Sequence, residues 1–101
     1  MIISSYFPGH IRIRDQILKD PDIAQALTDL GKAQSYVHHL QINPTSCSIL
    51  IEYDAQRLPL ARIASMRDLL LHAKELCDFY TPREKEEILQ IIEQLGKALG
   101  D

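Results

Sequence analysis

Residues 37–53 read VHHLQINPTSCSILIEY, and the reading of this stretch decides the fold. Leu40 and Ile42 alternate with His39 and Gln41, and Ile49, Ile51 and Tyr53 alternate with Leu50 and Glu52. A period of two marks two strands with one buried face. Between them lie Asn43, Pro44, Thr45 and Ser46. Asn can bond its own backbone and Pro fixes φ, so these residues make a tight turn. The apolar face of this hairpin needs a cover, and the flanking segments supply it.

On the N-terminal side, Ile11 and Ile13 alternate with His10, Arg12 and Arg14. This predicts a strand from about Tyr6 to Arg14, with Pro8-Gly9 at its start or at a bulge. A loop follows, with the apolar pair Ile17-Leu18. Asp20-Pro21-Asp22 then starts a helix, with Asp as N-cap and Pro at the first helical position. Ile23, Ala26, Leu27 and Leu30 fall on one face, and Gly31 is the natural stop of a helix from about Pro21 to Leu30, or running on to Ala33. On the C-terminal side, Pro59 opens a second helix of about twenty residues, some 30 Å long, with no breaker before Asp78. Thr81-Pro82-Arg83-Glu84 forms a capping box for a third helix through about Leu99, whose stripe is Ile88, Ile92, Leu95 and Leu99. The order is β-α-β-β-α-α. It predicts an α+β, ferredoxin-like fold: a three-stranded antiparallel sheet with helices on one face and an extra C-terminal helix. Residues 1–101 form one domain, with 1–70 as core and 71–101 as a helical extension. The surplus apolar surface of that extension is expected to pack helix three on helix two, and either helix on a second copy of the chain, in a homodimer formed through the first-strand edge or the C-terminal helices.

A 101-residue chain with 46% hydrophobic and 25% charged residues can build one core without metal or disulfide staples. The net charge of −3 and the pI of about 5.7 speak against a duplex-binding protein, which needs a basic face. No apolar run approaches the ~20 residues of a spanning helix, so no direct membrane insertion is expected. Cys47 and Cys77 form no Cys-x-x-Cys pair and read as reduced core residues, Cys47 at the apolar start of the third strand. The expectation is a cytoplasmic protein.

Three stretches resemble the heavy-metal-associated domain, the ferredoxin-like module of copper chaperones and metal-transporting ATPases. They are Phe7-Pro8-Gly9-His10-Ile11-Arg12-Ile13-Arg14, then Val37-x-x-Leu40-x-Ile42-Asn43, then Thr45 through Ile49 and Ile51 to Tyr53-Asp54. The resemblance covers about residues 6–70. It implies the sheet-and-helix scaffold and a link to metal transport. The family's thiol site lies at the end of the first strand; here Arg14 to Asp20 contains no cysteine, and soft monovalent copper wants thiolates. The resemblance therefore implies a variant that kept the scaffold and lost the thiol chemistry. The family's last strand lies beside its first; residues from Ala73 onward read as helix, which would leave the first strand with an open edge able to pair.

By parity His10, Arg12, Arg14, His39 and Glu52 share the polar sheet face, and they are the candidate binding surface. Arg12, Arg14 and Glu52 could equally form a solvated cross-strand ion pair of little energetic weight. His38 would point inward if its strand is regular, so it and His39 cannot aim at one ion; His72 lies on the second helix. No nucleophilic set and no Gly-rich phosphate loop is visible. An RNA-recognition sheet needs aromatics on its open face, where this chain carries His10, Arg12, Gln41 and Leu50. The reading is a non-enzymatic binding or adaptor module without cofactor or nucleic-acid partner. It acts through protein contacts, as a homodimer and with a partner such as a membrane transporter. The alternative is a protein that binds metal through His and carboxylate ligands.

Overall fold

The computed structural model describes residues 2–78 and 80–100. Its strands are β1 (Ile2–Phe7), β2 (His10–Arg14), β3 (Val37–Asn43) and β4 (Ser48–Tyr53). Its helices are α1 (Pro21–Lys32), α2 (Leu60–Ala64), α3 (Arg67–Asp78) and α4 (Lys85–Leu99), with short 3-10 turns at Gln16–Lys19 and Pro82–Glu84. The protein is α+β with a four-stranded antiparallel sheet in the order β1-β2-β4-β3. Among the described residues no helix is long and apolar enough to cross a membrane.

The expected count of three strands is corrected to four. The segment read as one strand from Tyr6 to Arg14 is a hairpin. Pro8 and Gly9 are its turn, and Gly9 takes a φ of 89°. Pro followed by a left-handed Gly reverses the chain, so Ile3 pairs with Ile13 and Phe7 with His10. The open edge expected on the His10–Arg14 strand is therefore occupied by β1. A Cβ on Gly9 would lie 3.0 Å from the Tyr53 carbonyl oxygen, so crowding adds to the backbone demand for glycine.

The β3–β4 hairpin forms as expected. Asn43 Oδ1 accepts from the Thr45 amide at 3.0 Å and the Ser46 amide at 3.4 Å. Two details differ. Cys47 does not begin the strand; it closes the turn with a φ of 52°, and β4 starts at Ser48. The register shifts between Val37 and His39, so His38 is exposed rather than turned inward.

The inner face carries Ile11, Ile13, Leu40, Ile42, Ile49 and Ile51 in matched cross-strand rows. Ile17 and Leu18 are not loop residues; they sit in a 3-10 turn and are buried in the core with Ile23, Ile49, Cys77, Ile88 and Ile92. Asp15 caps that turn by accepting from the Ile17 amide at 2.9 Å. Helix α1 passes Gly31 and ends at Lys32, within the span from Leu30 to Ala33 that the sequence allowed. Gly31 is buried against Leu40, where a side chain would overlap the leucine, and so lets the helix lie close on β3.

The long second helix is broken into α2 and α3. Ser65 Oγ donates to the Arg62 carbonyl at 2.6 Å, and the Met66 amide bonds Ile63, a tighter 3-10 step. A hydroxyl that bonds back to the preceding turn bends a helix, a signal visible only once the helix is curved over a core. The Thr81–Glu84 capping box is present. Helix α4 packs against α1 as well as α3, with Gly96 facing Leu30, and it contributes Ile88 and Ile92 to the central cluster.

Polar ties hold both ends of α4. At its start, Lys85 Nζ lies 2.7 Å from Asp22 and 3.1 Å from Asp20, the N-cap of α1. At its end, the buried Tyr36 hydroxyl donates to the Leu99 carbonyl at 2.8 Å. Arg62 donates to Leu99 and Gly100 carbonyls, each at 3.1 Å. A guanidinium there satisfies orphan carbonyls and meets the negative end of the helix dipole.

Gly9→Ala is expected to lower stability by about 1–2 kcal/mol, the usual cost of a left-handed non-glycine residue, read as a shift in the urea midpoint. The Asp20 carboxyl is pushed up by burial, but the Lys85 ammonium and the Asp22 and Ile23 amides outweigh this and hold it below its ordinary 3.8. A carboxyl with a lowered folded pKa stabilises above its ordinary value and ceases to as pH falls through the folded one. The stability gap between wild type and Lys85→Met should be widest above pH 3.8 and close below it, as urea titrations across pH will measure.

Candidate functional site

The face of the sheet opposite the helices is built by strand alternation and register alone. Residues directly opposite across an antiparallel pair share a face. Phe7, His10, Glu52 and His39 therefore form one row across all four strands. Ser5, Arg12, Leu50 and Gln41 form the next, and Ile2, Arg14, Ser48 and Asn43 the third. All five candidate residues, His10, Arg12, Arg14, His39 and Glu52, lie on this face. Glu52 stands between the two histidines, and the arginines occupy the two rows beyond.

The chemistry of the face is mixed. Phe7 stacks on His10 with ring centroids 4.4 Å apart and planes 3° from parallel. Arg12 and Arg14 are exposed, and among the described residues none of the ion pairs within 4.0 Å involves either of them or Glu52. The cross-strand ion pair that the sequence allowed is thus not formed. Beside the arginines, β1 presents Ile2 and Phe7, 65 and 57% exposed, while Ile3, 59% exposed, lies opposite Ile13 on the other side of the edge strand. Strand β1 is also the sheet edge, with one row of backbone groups outside the ladder and a register shift between Ile3 and Ser5.

Comparison with known proteins finds no matching family model, no matching curated protein and no matching solved structure. The functional reading of the face therefore stands on its own geometry.

Two other candidate sets can be placed. Among the described residues no three His, Cys, Asp or Glu side chains converge as metal ligands. His72 is on α3, where Nε2 meets Glu87 Oε1 at 2.9 Å, an interhelical tie. Between β2 and α1, Asp15 and Asp20 serve as helix caps and Asp20 also pairs with Lys85. Both cysteines are free thiols. Burial pushes the Cys77 thiol up to about 11, so it is protonated at neutral pH and a poor nucleophile.

The sequence reading missed Phe7 and Ile2 as members of the face. Its available signal was Pro8-Gly9: read as a reversal instead of a bulge, it places an aromatic opposite His10 and an isoleucine opposite Arg14.

Because Arg12 and Arg14 lack acidic partners among the described residues, Arg12→Ala and Arg14→Ala should each change stability by under ~0.5 kcal/mol. Denaturant midpoints check this. A larger loss would assign these side chains to the fold and leave them unsuited to a free binding surface.

Proposed function

We propose that the chain is a non-enzymatic protein-binding module, related to the heavy-metal-associated domains but without their thiol site, acting in the cytoplasm. One observation carries the reading: the β1 edge exposes Ile2 and Phe7 on the same face as two arginines with no ion-pair partner among the described residues, and exposes Ile3 on its other face. Large apolar side chains on an open edge strand are costly to leave in water and are a template for pairing.

The topology supports the relationship. Strands β2, β3 and β4 with α1 follow the order of a ferredoxin-like half, in which β2 and β3 are parallel and β4 lies between them. Strand β1 takes the edge beside β2, the place that the family's last strand occupies. A permuted ferredoxin-like sheet is the simplest description: the same edge is filled by the opposite end of the chain.

The partner that fits the edge best is a second copy of the chain, β1 against β1, which buries the isoleucines of both. The arginines then flank the joint and are left to recruit an acidic segment of another protein, such as a membrane transporter's soluble loop. Light scattering should give a mass twice 11.5 kDa at micromolar concentration, and Ile3→Glu should return it to a monomer. A wild-type chain that remains monomeric at every concentration would remove the second-copy reading.

A further inference from the structure

Between the inner sheet face and the helices lies a cavity of about 280 Å³. Its walls include Leu40 and Ile51 from the sheet, Leu95 from α4, and Ile63, Leu70 and Ala73 from α2 and α3. The lining is almost wholly apolar. Among the described residues, every buried side-chain nitrogen and oxygen already has a hydrogen-bond partner. A water molecule needs two to four polar partners to be held, and this wall offers nearly none.

Among the described residues, α2 and α3 bury fewer side chains than α1 or α4. Helix α2 contains no buried residue, and α3 contains only Cys77 among those described. The α2–α3 wall is tied at one end by Arg62 to the carbonyls that close α4, and part-way along by His72 to Glu87. Both members of the second pair are about half exposed, so water competes for it. The break at Ser65 and Met66 divides the wall into two short helices.

We propose that this cavity is a binding site for a small uncharged aliphatic molecule, admitted by displacement of the α2–α3 wall. Its volume sets the size. At the roughly 30 Å³ that a water-sized group occupies in a liquid, it holds about nine or ten carbons. Its lining sets the charge. The wall is almost wholly apolar, so a carboxylate head group would shed its water with no cation among the described lining residues to meet it. A hydrocarbon end meets no such penalty, and a neutral hydroxyl a smaller one.

Cys77 on the wall is the reporter, and Cys47 in the β3–β4 turn is the control thiol. The full chain is incubated with N-ethylmaleimide, and labelling of each cysteine is followed by peptide mass spectrometry with 1-decanol or decanoate present. Decanol is expected to slow Cys77 labelling at least fivefold and leave Cys47 unchanged, while decanoate at the same concentration does neither. Ala73→Phe, which fills the cavity, should weaken the decanol effect more than tenfold. If that variant does not fold, the wild-type contrast between alcohol and carboxylate still decides. No protection by decanol, equal protection by decanoate, or full protection retained in a folded Ala73→Phe would each overturn the proposal. The same measurement on Ile3→Glu separates this site from the sheet edge: protection should survive whether or not the chain dimerises.

Discussion

Strand β4 is paired on both sides, with β2 and with β3, and carries Ile49 and Ile51 on one face. A central strand with one apolar face cannot leave that face in water, since burial of each such side chain is worth roughly 1.5–3 kcal/mol. The rest of the chain is arranged to meet this demand. Helix α1 comes close because Gly31 presents no side chain to Leu40. Ile17 and Leu18 fold in from a short turn, and α4 returns from the far end of the chain to add Ile88 and Ile92. The C-terminal segment is therefore an integral part of the cover.

Because α4 arrives last in the sequence, its placement depends on contacts between distant residues. Lys85 reaches the cap of α1, and Tyr36 and Arg62 take the carbonyls at the other end. Arg62 links this clamp to α2, and its guanidinium also lies 5.9 Å from the Tyr36 ring, within range of a cation–π contact. The result is an α1–α4 pair tied at both ends of α4, beside an α2–α3 wall in which Cys77 is the one buried residue among those described. The cavity follows from that division: the wall closes over the sheet without filling the space beneath it. In core-truncation experiments an unfilled volume is unfavourable by about 24 cal/mol per Å³, so apolar atoms placed there have a sizeable energetic return.

The two faces of the sheet thus have separate chemistry. The inner face is apolar and bounded by helices. The outer face carries Arg12 and Arg14 on β2 and is apolar at Ile2 and Phe7 on β1. Strand periodicity enforces the separation, because alternate residues of the same strand serve opposite faces. Ile11 and Ile13 point to the core while His10, Arg12 and Arg14 point away, and one residue of slip would exchange them.

Local pattern alone determined the β3–β4 hairpin, the start of α1 at Asp20-Pro21, the Thr81–Glu84 cap and the grouping of His10, Arg12, Arg14, His39 and Glu52 on one face. Each rests on neighbours in the chain or on a period of two, so no distant contact is needed to see it. Tertiary structure decided the rest. Pro8-Gly9 is compatible with a bulge or a reversal, and the pairing of β1 with β2 selects the reversal, adding a fourth strand and bringing Phe7 onto His10. Gly31 has the composition of a helix stop, yet the approach of Leu40 makes it a packing residue. The stripe from Leu60 to Cys77 has no breaker, and the bend at Ser65 exists because the segment must curve over a core shorter than a straight helix. Periodicity specifies which side of an element is apolar; which other element covers that side is set only when residues far apart in sequence compete for the same buried space.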